Sequence, residues 1–96
     1  MLRISENGSS DKHTSLRLEG QVTGQGVIEV QKLCEQWLAA GRQLTLDLAD
    51  VLFVDRSGVA LLRDLMRRQV ALVNCSPFLT EQLKEGASGD EYLNYR

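Results

Sequence analysis

The chain has 96 residues, 43% of them hydrophobic and 25% charged, with a net charge of −2 and a pI near 5.3. That is enough for one domain with one core, spanning residues 1–96, and leaves no room for a second. The acidic balance argues against a nucleic-acid surface. Apolar runs stop at four residues, far below the roughly 20 that cross a bilayer. Arg63, Arg67 and Arg68 cluster, but Asp64 lies among them, and the group reads as the solvated face of a helix. Met1 to Glu6 turns polar at once and lacks a signal-peptide core. Cys34 and Cys75 sit in apolar surroundings, as reduced, buried small hydrophobes do. The expected compartment is the cytoplasm.

In chain order, Met1 to Ser5 reads as a short strand and Glu6 to Lys12, rich in Gly and Ser, as a mobile loop. Thr14 to Glu19 alternates, with Leu16 and Leu18 on one face, and stops at Gly20. Gln21 to Gly26 is a loop in which Thr23 is placed to start a helix. Val27, Val30, Leu33, Cys34, Trp37 and Leu38 then trace one helical face, with Trp37 as a core anchor and Gly41 as the terminator.

Leu44, Leu46 and Leu48 alternate into a central strand, which the apolar run Val51 to Val54 extends. The next helix runs from Gly58 to about Arg68. It turns Val59, Leu61, Leu62, Leu65 and Met66 inward, and it has a weak i,i+4 pair in Asp64 and Arg68. Val70 to Val73 reads as a buried parallel strand. Ser76-Pro77 starts a third helix, as cap and first helical residue, with Phe78, Leu79 and Leu83 inward and an end at Gly86. Ala87 to Arg96 is expected to fray. The order β-β-α-β-α-β-α predicts an α/β fold: a mixed, mainly parallel sheet with packed helices and an antiparallel first pair.

Catalytic chemistry finds no carrier. His13 is a single histidine in a polar stretch. His13, Cys34 and Cys75 lack metal-ligand spacing, and Gly20 to Gly26 lacks the lysine of a phosphate-binding loop. No enzyme activity, cofactor or metal is expected. The informative stretch is Val54-Asp-Arg-Ser-Gly58, where a strand meets a helix. It sets the Ser57 hydroxyl on a first helical turn, beside Asp55 and a residue with no side chain. Unpaired amides there favour an anion, so the position suits a phosphate mark. Asp55 or Ser57 as a plain helix cap fits the same residue types.

Four segments together resemble a STAS domain, the fold of bacterial anti-sigma-factor antagonists and of sulfate-transporter tails. They are Leu16-Arg-Leu-Glu-Gly20, Leu46-Asp-Leu-Ala-Asp-Val51, Val54-Asp-Arg-Ser-Gly58 and Asn74-Cys-Ser-Pro77, and they cover about residues 14–85. The resemblance implies a protein-binding switch. Ser57 falls where an anti-sigma kinase phosphorylates the antagonists, and Asp55, Arg56, Ser57 and Gly58 form the partner-binding corner. Arg56 replaces a small hydroxyl residue, and the Gly58–Arg68 helix is a turn or two shorter than usual. STAS subunits similar to this chain instead bind and stabilise the ATPase of an ABC transporter of the phospholipid-transport type. That is the alternative partner. Neither nucleic acid nor direct membrane insertion is implied.

Overall fold

The two central strands are decided by leucines at every second position. The structure, a computed structural model, describes residues 1–84. In β2 (His13–Val22) and β3 (Gln43–Val54), Leu16, Leu18, Leu44, Leu46 and Leu48 are all buried on one face of the sheet. Successive strand side chains point to opposite faces. The other face therefore takes the polar residues: Arg17 pairs with Asp50, and His13 Nε2 shares a 2.8 Å hydrogen bond with Thr45 Oγ1. β2 and β3 run parallel. β1 (Leu2–Ser9) lies antiparallel beside β2, and β4 (Ala71–Val73) lies parallel beside β3, giving the order β1-β2-β3-β4. Helices α1 (Gln25–Ala39) and α2 (Arg56–Arg67) pack on the leucine face and against each other. Residues 77–84 are also helical. The mixed, mainly parallel sheet and its antiparallel first pair are as the sequence predicts.

Several boundaries differ from expectation, each for a tertiary reason. Glu6 to Lys12 is not all loop: β1 continues to Ser9, because a bulge between Glu6 and Ser9, with Gly8 at φ 113°, keeps it paired to β2. Gly20 does not end β2. It adopts φ 105° at a register shift, and the strand runs on to Val22. A side chain at Gly20 would strike the Met1 carbonyl, which accepts a hydrogen bond from Gln21 N at 3.1 Å. Thr23 does not cap α1. Gly24 holds that position at φ 49° without a side-chain cap, and the Thr23 carbonyl accepts from Gly26 N.

At its far end α1 closes as expected. Gly41, at φ 79°, donates to the Leu38 carbonyl, and Arg42 N reaches back to Trp37 O, the paired hydrogen bonds of a Schellman motif. Gln69 does the same for α2 at φ 70°, with Gln69 N on Met66 O and Val70 N on Leu65 O. Trp37 is half-buried at the margin of the core, and Cys34 takes the fully buried place on that helix.

β4 is an edge strand, not a buried one: Ala71 and Val73 are exposed, and Val70 at its entrance carries the burial. Met66 and Phe78, expected inward, are 49% and 69% exposed. Each falls just off the arc of its helix that meets the sheet. The Asp64–Arg68 pair is present at 3.9 Å, but Arg68 gives its fork to Glu35 at 2.7 and 3.0 Å, tying α2 to α1. Ser76 caps the third helical segment, its Oγ accepting from Leu79 N at 3.0 Å. Its expected end at Gly86 and the fraying of Ala87 to Arg96 fall outside the described residues. No described helix is long and apolar enough to cross a membrane.

Candidate functional site

The corner between β3 and α2 is built around one carboxylate. Asp55 leaves β3 in extended backbone geometry (φ −81°, ψ −179°) and is the N-cap of α2. Its Oδ1 accepts from Gly58 N and from the Ser57 hydroxyl, both at 2.8 Å, and its Oδ2 accepts from Gly24 N at 3.1 Å. The Asp55 carbonyl receives the first bond of the helix, from Val59 N at 2.9 Å. One side chain thus holds its own helix end and the loop that precedes α1. These donors, the Gly58 amide first and then the Ser57 hydroxyl and Gly24 amide, hold the Asp55 carboxyl below the usual carboxylate range. Both helices therefore begin at the same end of the sheet, with Asp55 between them.

Gly58 is required by space. It is buried, and a Cβ there would lie 2.6 Å from Val54 Cγ1 and 2.7 Å from the Val22 carbonyl oxygen. The missing side chain lets the first turn of α2 sit directly on the ends of β2 and β3. Ser57, one residue earlier, faces the other way and is exposed, as is Arg56. Of the four residues expected at the corner, Arg56 and Ser57 are surface groups. Asp55 is half-exposed with its oxygens engaged, and Gly58 lies beneath. The Ser57 hydroxyl is open to solvent on a coiled first turn. Asp55 caps the helix as well, so the plain capping role belongs to that residue.

Two features escaped the sequence reading. Leu52 and Phe53, from the apolar run, are 80% and 51% exposed, and with Phe78 they flank a shallow crevice beside the corner. β4 pairs with β3 only between Thr45 and Asp47. Beyond that register no described strand lies beside β3 on this side, and a single helical layer cannot bury both of its faces. The hint in the sequence was the apolar run itself, since four consecutive apolar residues on a strand need cover on both sides. The other feature is Arg42. Its Nε donates to Thr14 Oγ1 at 2.7 Å, and its terminal nitrogens reach the carbonyls of Asp11, Ser10 and His13 and the Ser9 hydroxyl. Its guanidinium lies 5.2 Å from the Trp37 ring centroid. No local spacing in the chain announces this cluster.

The thiols are free. Burial pushes the Cys34 thiol up to about 11, and it also raises that of the half-buried Cys75. No group of three His, Cys, Asp or Glu among the described residues is placed to hold a metal.

This architecture is that of the STAS domains. The anti-sigma factor antagonist SpoIIAA, solved in its unphosphorylated form, superposes with a TM-score of 0.70 at 15% identity, over 98% of this chain and 100% of that one. An uncharacterised protein of the DUF3478 family with a SpoIIAA-like fold, from Shewanella loihica PV-4, matches with a TM-score of 0.55 at 16% identity, over 94% of this chain and 75% of that one. No curated protein matches the chain. The family described as "Mlab, STAS domain" matches residues 5–86, and the chain belongs to that family.

Proposed function

We propose that the protein is a non-catalytic docking module, controlled by phosphorylation of Ser57 in the manner of an anti-sigma-factor antagonist. Unphosphorylated, the Asp55–Gly58 corner and the adjoining apolar residues Leu52 and Phe53 bind an anti-sigma factor with serine kinase activity. This binding takes place in the cytoplasm of a bacterium and frees a sigma factor for transcription. The observation that carries the reading is the Ser57 hydroxyl, exposed on the first turn of α2.

The chemistry of the mark follows from the hydrogen bonds. A phosphate ester has no hydroxyl hydrogen, so the Ser57 bond to Asp55 is lost, and about −1.5 to −2 charges are added next to that carboxylate. The helix N-terminus and Arg56 offset part of the repulsion, and Gly58 and Gly24 still hold Asp55, so the domain stays folded. The partner meets a desolvation cost and a like charge. A hundredfold loss of affinity corresponds to about 2.7 kcal/mol of difference between the two forms.

Intact-mass analysis of wild type and Ser57→Ala, after incubation with ATP and native lysate, tests this. One phosphate is expected on the wild type and none on the variant. Equal modification of both, or of neither, removes the switch. A second reading keeps the surface and drops the kinase: the corner binds and steadies the ATPase of an ABC transporter of the phospholipid-transport type. Arg56 favours it, since its exposed side chain adds bulk and charge beside the hydroxyl a kinase has to reach. Recovery of a transport ATPase with both wild type and Ser57→Ala selects that reading.

A further inference from the structure

A groove of about 850 Å³ runs between α2, β4 and helical residues 77–84. Met66, Val70, Leu72 and Leu83 form its apolar wall, Cys75 lies within it, and Arg67 and Lys84 are among its charged lining residues. Lys84 is also the last described residue, so the chain continues from the rim of the groove. The next twelve residues, Glu85 to Arg96, begin with the stretch Gly86-Ala-Ser-Gly89, whose side chains are too small to fill a groove. They go on to Asp90-Glu-Tyr-Leu-Asn-Tyr95. That second stretch holds both tyrosines of the chain and a leucine, directly after two carboxylates.

Covering an apolar wall is favourable in proportion to the area taken out of water. Tyrosine and leucine supply such cover, and a tyrosine hydroxyl can stay at the wet rim. Asp90 and Glu91 carry charge opposite to that of Arg67 and Lys84. Reach favours this occupant over one from solution. Twelve residues span at most about 40 Å when extended, and a segment joined to its seat by a short link has an effective concentration on the order of millimolar. At equal intrinsic affinity, a second copy at micromolar concentration loses by about a thousandfold. We infer that residues 90–95 occupy this groove, with Tyr92 and Leu93 against its apolar wall and Asp90 and Glu91 toward Arg67 and Lys84. The Asp55–Gly58 corner is a separate surface, and the inference does not depend on what docks there.

Cys75 supplies an internal reporter, because it lines the groove while Cys34 is sealed in the core. The full chain carrying L93C is oxidised with a glutathione couple, and the disulfide from the introduced thiol to Cys75 is quantified by peptide mass. A disulfide forms only where the two Cα atoms come within about 7 Å, so it captures the docked segment. It is expected to form at least about tenfold faster than the corresponding disulfide in S88C, although Ser88 is nearer to Cys75 in sequence. The rate should not change with protein concentration from about 1 to 100 μM. A second measurement leaves both native thiols as they are. N-ethylmaleimide should label Cys75 in Y92S/L93S at least about fivefold faster than in wild type, and in D90K/E91K about twofold faster, with Cys34 unlabelled throughout. Y92F/L93I should label as wild type does. Equal capture in L93C and S88C, cross-linked dimers in place of the internal disulfide, or labelling of Cys75 unchanged by Y92S/L93S or by D90K/E91K overturns the inference. Labelling of Cys34 in Y92S/L93S would mark unfolding, and the disulfide rates then decide.

Discussion

The parallel pair β2 and β3 ends in two polar clusters of opposite sign. At the start of the strands Arg42, a cation, collects carbonyl and hydroxyl oxygens from residues 9–14. At their far end Asp55, an anion, collects hydrogens from Gly24, Ser57 and Gly58. Both gather turns that would otherwise splay. The difference lies in what each leaves for a partner. Arg42 turns its donors onto the protein's own carbonyls and hydroxyls, with its guanidinium 5.2 Å from the Trp37 ring centroid. Asp55 instead organises a first helical turn whose Ser57 hydroxyl and Arg56 side chain stay outside. Polar clusters of similar size thus serve different ends, according to whether the groups around them face in or out.

The largest effect is expected at Gly58. Gly58→Ala places a methyl 2.6 Å from Val54 and 2.7 Å from the Val22 carbonyl. The overpacking outweighs the helical preference of alanine, for a net loss of about 2 kcal/mol in urea unfolding. A loss below about 0.5 kcal/mol would mean that α2 can slide off the strand ends. Next comes Arg42→Ala, expected to cost about 1–2 kcal/mol at an unchanged m-value. Arg42→Lys should recover less than half, because an ammonium lacks the planar fork that reaches several acceptors.

Asp55→Asn sharpens the contrast through pH. The native carboxyl titrates below its unfolded value of about 3.9, so its contribution is complete above about pH 4 and is lost as the pH falls through the native pKa. The variant should melt lower than wild type at neutral pH, because an amide nitrogen cannot accept from Gly24 N as Oδ2 does, and the gap to wild type should shrink steadily in acid. A gap that stays constant down to pH 2 contradicts the assignment. The smallest effect belongs to Ser57→Ala, whose exposed hydroxyl should change stability by no more than about 0.5 kcal/mol. A larger change would show that the hydroxyl carries part of the cap, leaving it less free to be modified.

Much of the corner was legible because its cues are local. Asp, Arg, Ser and Gly follow an apolar run and precede a helical stripe, and Ser76-Pro77 and Gly41 mark helix ends by the backbone angles they favour. Arg42 was not legible, since its acceptors lie about 30 residues earlier and meet it only when β1, β2 and β3 align. Met66 and Phe78 look inward on a helical wheel. Their exposure depends on how each helix is rotated against the sheet, which periodicity locates only to within a residue. Leu52 and Phe53 are apolar as a buried strand requires, but β4 is too short to run alongside them.

The amino-acid order alone determined the alternation that makes β2 and β3, the stripes that make α1 and α2, and the acidic-hydroxyl-glycine turn between β3 and α2. Each of these depends on neighbours within a few residues. Tertiary structure decided where β1 and β2 end, which apolar side chains stay in water, and which distant oxygens Arg42 finds. It also decided that Gly58 must be bare and that Asp55 ties a second loop. Those outcomes depend on chain segments far apart in sequence being brought within a hydrogen bond or a van der Waals radius, and no local pattern encodes that distance.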